Sequence, residues 1–306
     1  MNIIIKFPLI VAQNVMYVLF INPKQDFFIG ASILIILFGF LFIIFLIWVR
    51  QIVLSIFGGI EMGFVLITKR PVFIYFHPFL KKLKPEQESI LKKQFTFYNR
   101  LSHRRKVYFS HRVASFIKHK EFIGQENFVI TEEVKVLISA TATMLTFGFR
   151  DYIIKSVQRI IIFPTQYYST TNDNYHKGEF NVTLKTLVLS WDNFLEGFRI
   201  EDDKLNLAIH ELAHAIHFNS LYQNDINSVI FVDTFHELKD LISNNESLKS
   251  SLVNSEYLRN YAFTNDFELL AVIIESFIES PEELRSQFPE IYKLVKQMLN
   301  FNFKGY

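Results

Sequence analysis

The sequence predicts an α+β, mainly helical domain with a small sheet, preceded by an N-terminal transmembrane helix. Three observations predict it. Half of the residues are hydrophobic, and much of the excess lies in the first quarter of the chain. Beyond position 70, apolar residues recur mostly at helical spacing and are interrupted by two short β-type runs. The length of 306 residues leaves about 235 for one globular domain, enough for a substantial core. The expected division is therefore a membrane anchor over 1–69 and a single domain over 70–306.

From Phe27 to Val49 the run "FFIGASILIILFGFLFIIFLIWV" carries no charge. As a helix it extends ~34 Å, enough to span a bilayer, and core helices rarely run so far without a charged residue. The next run, "QIVLSIFGGIEMGFVLI" (51–67), is shorter and contains Glu61 and the pair Gly58 and Gly59. It reads as a second span, a re-entrant piece or a continuation of the first helix. The stretch from Ile3 to Ile21 is a weaker anchor, interrupted by Lys6, Pro8, Gln13 and Asn14 and without a small-residue cleavage site. Basic residues gather after the span, at Arg50, Lys69, Arg70, Lys81, Lys82 and Lys84, against Lys6 and Lys24 before it. By the positive-inside rule this predicts a single- or double-pass membrane protein whose domain faces the cytoplasm.

The sequence contains no cysteine, which excludes a disulfide framework and thiolate metal ligands. A metal must then be held by His, Asp or Glu. The net charge of +2 is too small to imply a nucleic-acid partner.

Along the domain, Ser89–Lys120 has no acidic residue, and its apolar positions predict two amphipathic helices with a basic outer face. That face is either simply solvated or in contact with anionic headgroups. "TEEVKVLISATATMLTFGF" predicts a helix capped by Thr131 and ending near Gly148. "RIIIFP" (159–164) and "TLVLSW" (186–191) predict strands joined by a polar loop, the second being either a candidate edge strand for an extended substrate or an ordinary interior strand. Helices are expected over 203–219, around 228–243, over 266–280 and from Pro281 to Asn300.

The 203–219 helix, which Asp203 can cap, carries "HELAH". Leu205, Ala208, Ile209, Leu212 and Ile216 fall on one side, and His210 and His214, one turn apart, fall on the other. That spacing lets two ring nitrogens reach one zinc ion, with Glu211 beside them to accept a proton from water. His217 is too far along the axis to complete the set, and no metzincin-type histidine follows. In "YAFTNDFELLAVIIESF" (261–277), Glu268 and Glu275 lie seven apart on one face of an otherwise apolar helix. Buried carboxylates need a cation or donors, so one of them is expected to bind the metal and the other to orient a histidine. Glu268 is the expected ligand and Glu275 the orienting group, the reverse assignment remaining open.

With these motifs in order, together with "HPFLKKL", "FIGQENFVITEEVKVLISATATMLTFGFRDY", "IIIFPTQYY", "HKGEF" and "LVLSW", the chain resembles the zinc peptidases related to Mlc titration factor A over roughly residues 76–290. Their catalytic fold is similar to that of the lethal-factor metalloprotease domain. The resemblance implies a zincin-like metallopeptidase with zinc held by His210, His214 and Glu268 and with Glu211 as base. It also implies that Tyr261 faces the site as an oxyanion donor, a role that His217 could share. A peptide or protein substrate follows. The alternative is a membrane-tethered, zinc-containing binding module that sequesters a regulatory protein. The membrane segment departs from the best-known members of the family.

Overall fold

The computed structural model describes residues 23–169, 174–199, 205–255 and 257–303. The stretch from Ile3 to Ile21 and the expected cap Asp203 lie outside these residues. The chain falls into two compact units, residues 1–61 and 62–306.

Helix α1 runs from Pro23 to Thr68 without a break, so the apolar runs at 27–49 and 51–67 are one helix of 46 residues. At 1.5 Å per residue it is about 69 Å long, well beyond the thickness of bilayer hydrocarbon. From Phe27 onward it is long and apolar enough to cross a membrane, and its apolar side chains are exposed over most of its length. Its last turns belong to the second unit. There Val65 packs on Ile226 and Ile230, and Lys69 pairs with Asp233 and Glu237.

The basic segment folds as α2 (Pro85–Gln94), a short α3 (Thr96–Arg100) and α4 (His103–His119). Strand β1 (Glu121–Gly124), which the pattern does not announce, follows directly. Helix α5 (Glu132–Leu145) begins at Thr131, whose hydroxyl accepts from the Val134 N–H, and it is buried from Val136 to Leu145 on every face. Such a helix must lie at the centre of a core, and α5 packs against α2, α4 and the helix that carries His210 and His214. It stops at Leu145 rather than near Gly148. Gly148 is required for a different reason: a Cβ there would stand 2.3 Å from the Leu299 carbonyl oxygen.

Strands β2 (Arg159–Phe163), β3 (Tyr167–Ser169), β4 (Asn174–His176), β5 (Gly178–Asn181) and β6 (Thr186–Ser190) complete the β structure. The main sheet has the order β1-β2-β6-β5, with β1, β2 and β6 parallel and β5 antiparallel to β6. Of the two readings of "TLVLSW" the interior strand holds: β6 is bonded on both sides, and the edge next to it is β5, from within the expected polar loop. The alternation of small, charged and aromatic residues in "GEFN" gives no hydrophobic signal for a strand. Strands β3 and β4 form a separate antiparallel hairpin in the same loop.

The remainder is helical: α6 (Trp191–Arg199), α7 (Leu207–Tyr222), α8 (Ile226–Ser243), α9 (Glu246–Asn254), a 3₁₀ turn (Asn260–Phe263), α10 (Asp266–Glu279), α11 (Pro281–Gln287) and α12 (Pro289–Met298). The expected last helix is two, because Pro289 cannot donate to the preceding turn. Helix α7 packs against α5, α8, α10, β5 and β6.

Arg112, on α4, is fully buried and donates to the carbonyls of Thr146, Phe147 and Ile74. Its guanidinium also lies over the rings of Tyr75, Phe147 and Tyr152. Burial pulls its pKa down to about 10, which still leaves it charged at neutral pH. Replacing it leaves the buried carbonyls of Thr146 and Phe147, and the partly buried one of Ile74, without their donor. Arg112→Met is expected to cost about 3 kcal/mol or more in urea denaturation, and a loss below about 1 kcal/mol would contradict this account.

Candidate metal centre

Helix α7 starts at Asn206, whose side chain accepts from the Ile209 N–H and donates to the Gly197 carbonyl at the end of α6. This fixes the first turn four residues before His210. Leu212 and Ile216 enter the core, while His210, Glu211 and His214 face the other way, toward β5 and α10.

His210 and His214 present their Nε2 atoms to each other at 3.2 Å. The Glu268 carboxylate, from the first turn of α10, stands 3.0 Å from His210 Nε2 and 3.4 Å from His214 Nε2. The three residues thus offer their ligand atoms to one point. Among the described residues this is the only such group of three. Three lone-pair donors at these separations repel unless a proton or a cation lies among them, so the donor set fits a metal ion. Burial alone would lower His210, but Glu268 and Glu275 outweigh it and push His210 up to about 9. Burial opposes ionisation of Glu268, yet the two histidines hold its carboxyl far below the usual carboxylate range.

Glu275 is completely buried on the same face of α10, two turns after Glu268. One of its oxygens accepts the backbone N–H of Asn206, and the other takes the guanidinium of Arg259 and lies 3.4 Å from His210 Nδ1. Arg259 Nη2 is also 3.0 Å from His210 Nδ1. When Nε2 is turned to a metal, Nδ1 carries the proton, so both groups are donors and their common acceptor is Glu275. Of the two assignments for the carboxylates, the geometry brings Glu268 to the Nε2 atoms and Glu275 to the outer nitrogen. Arg259 escaped the sequence reading, because an arginine before a turn has no distinguishing spacing.

Glu211 is buried next to the pair. Burial raises its pKa, His210 and His214 oppose the rise, and the backbone N–H of Phe180 on β5 donates to its carboxylate. β5 can come this close because its first residue is Gly178. A Cβ there would lie 2.8 Å from Leu207 Cδ1 and 3.1 Å from Glu211 Cγ. A cleft of about 450 Å³ opens beside these groups, lined among others by Lys177, Asn193, Leu207, Arg259 and Tyr261. Tyr261 is half exposed at its rim, with its ring 6.1 Å from that of His210. Burial, followed by the Glu268 charge and hydrogen bond, pushes its hydroxyl up to about 12. His217 is elsewhere: its ring is buried against Phe235 and Phe267, outside the cleft, and burial lowers it to about 4.

A helical domain that gathers the two histidines of an HExxH segment and a distant glutamate at one point, with a second glutamate beside them, has the donor set of a metallopeptidase. The chain belongs to the glucose-regulated metallo-peptidase M90 family, whose model matches residues 79–300. The resemblance drawn from the motifs therefore holds over most of the domain, and membership of a metallopeptidase family implies a metal ion. Among curated proteins, the chain is 24% identical over 233 residues to the uncharacterized protein slr2042 of Synechocystis sp. (strain ATCC 27184 / PCC 6803 / Kazusa), covering 72% of this chain and 85% of that one. It is also 23% identical over 133 residues to the PCNA-interacting partner of Mus musculus, a match covering 42% of this chain and 22% of the other.

Loss of the Glu275 carboxylate leaves His210 Nδ1 without its acceptor. Glu275→Gln and Arg259→Gln are each expected to weaken metal binding about 10–100-fold, read by competition with a chromophoric chelator. Affinities equal to wild type in both variants would remove the orienting role.

Proposed function

We propose that this protein is a membrane-anchored, zinc-dependent peptidase with a zincin-like catalytic domain in the cytoplasm. The observation that carries the reading is the mutual spacing of the three donors. A tetrahedral zinc with bonds of about 2.0–2.1 Å has ligand atoms about 3.3 Å apart; here the two Nε2 atoms lie 3.2 Å apart, with one oxygen of Glu268 3.0 Å from His210 Nε2 and its other oxygen 3.4 Å from His214 Nε2. His210, His214 and Glu268 would hold the ion. Bound zinc supplies Lewis acidity, which makes water a nucleophile near neutral pH and polarises a carbonyl.

The remaining chemistry belongs to the chain. Glu211, desolvated and fixed by the Phe180 N–H, accepts the proton of the attacking water at its carboxylate and delivers it to the departing amine nitrogen. Tyr261, protonated at any physiological pH, donates its hydroxyl to the developing oxyanion from the rim of the cleft. An extended peptide would lie along the free edge of β5, where backbone pairing needs no particular side chain. His217, packed among phenylalanines, has no part in this scheme. Anchoring rests on the apolar length of α1, and the cytoplasmic placement on the basic residues from Lys69 to Lys84.

The test is cleavage of a mixed peptide library by the full-length, zinc-loaded protein in detergent or nanodiscs. Glu211→Gln is expected to retain zinc and lose activity on the order of 10²–10⁴-fold, whereas His214→Ala loses both. Tyr261→Phe is expected to lower kcat about 100-fold with little change in zinc content. Wild-type zinc binding without any cleavage would instead favour the binding module that sequesters a regulatory protein.

A further inference from the structure

The segment that follows α1 carries three phenylalanines three residues apart, Phe73, Phe76 and Phe79, exposed by 74%, 76% and 88%. Aromatic side chains as exposed as these, grouped on one short segment, call for a partner. The segment is not a loose tether. Tyr75 stacks on Tyr108 of α4 with centroids 5.2 Å apart, and His77 lies 4.5 Å from His111 of the same helix. The Ile74 carbonyl accepts from buried Arg112 at 2.8 Å, and the Lys81 N–H donates to His111 Nδ1, also at 2.8 Å. Residues between and after the phenylalanines therefore hold the segment to α4, and the phenylalanines are left exposed.

The ground around them is basic. Arg70, Lys82 and Lys84 on the segment are exposed, as are Arg104 and Lys118 on α4. Arg104 reaches over the ring of Tyr108, on which Tyr75 is stacked. Lys81 is close enough to Lys118 for one charge to act on the other. Between Ser89 and Lys120 no acidic residue offsets Arg104 and Lys118, whereas Lys84 pairs with Glu132 at 3.6 Å and adds less to the face. Aromatic side chains beside a basic face match the two layers of a bilayer surface, acyl boundary and anionic headgroup. The position in the chain agrees, since Phe73 comes five residues after Thr68, the end of the apolar helix.

We infer that Phe73, Phe76 and Phe79 insert into the interface of an anionic bilayer, so that the catalytic domain itself rests on the membrane instead of only being tethered to it. This rests on the anchoring proposed above, and the two fail separately in one experiment. The full-length chain, in a Trp48→Phe, Trp191→Phe background, receives a single tryptophan by Phe79→Trp, Phe76→Trp or, as a control at an exposed site elsewhere, Val129→Trp. A further variant keeps Trp48 alone. Each is reconstituted in nanodiscs of brominated phosphatidylcholine with or without phosphatidylglycerol, and fluorescence quenching is read.

The expected result is strong quenching of Trp48, quenching with a blue shift at 76 and 79 that weakens when phosphatidylglycerol is omitted, and none at 129. Quenching of Trp48 with none at 76 or 79 overturns the docking and leaves the anchor standing. No quenching at Trp48, with the chain recovered outside the discs, overturns both. Equal quenching at 76 and 79 with and without phosphatidylglycerol overturns the role of the basic face. Two copies per disc with 76 and 79 unquenched would assign the patch to a second copy and overturn the lipid assignment.

Discussion

The buried carboxylate of Glu275 is the interaction on which the centre depends. A carboxylate inside an apolar helix is tolerated only when its charge is met, and here three segments meet it: the N–H of Asn206, the guanidinium of Arg259 and the ring of His210. Each contact also places something else. Asn206 starts the helix that carries the histidines, Arg259 holds the approach to Tyr261, and His210 is turned so that its other nitrogen faces Glu268. A charge that would be costly alone becomes the point through which α7, α10 and the turn before α10 are registered against one another.

On the opposite flank the constraint is steric. Glycine at 178 lets β5 run against Leu207 and Glu211, closely enough for the Phe180 N–H to reach the Glu211 carboxylate. The edge strand thus serves the proposed base from one side of the chain while its remaining backbone groups stay open. Placing the base against backbone rather than against another side chain keeps it dry without supplying a permanent cation, and its pKa stays high as a result.

Much of the site was legible because metal chemistry imposes spacing. His210 and His214 are one helical turn apart, and Glu268 and Glu275 lie seven apart in a segment too apolar to have kept them without partners. What could not be read came from contacts without periodicity. The strand at 178–181 is defined by pairing with β6 and by a glycine, not by alternating hydrophobicity, so only the more apolar "TLVLSW" offered itself as a candidate edge, with an interior strand as the other reading. Arg259 precedes a short turn, and only the fold brings it to Glu275. Gly148 has the look of a helix terminator, yet it is glycine because the chain near Leu299 crosses it. The single long helix at 23–68 was one of three readings left open by Glu61 and the paired glycines, neither of which interrupts its hydrogen bonding.

The end of that helix bears on modularity. Val65 packs against Ile226 and Ile230, and Lys69 sits between Asp233 and Glu237 on α8, the helix that backs α7. The catalytic unit therefore begins inside the apolar helix, at about Met62, before the composition turns polar. An exchange of this apolar helix between related proteins, by recombination or in the laboratory, would have to cut above this point to leave the domain whole. A graft at the visible border of hydrophobicity would remove part of the domain's own surface together with the apolar helix.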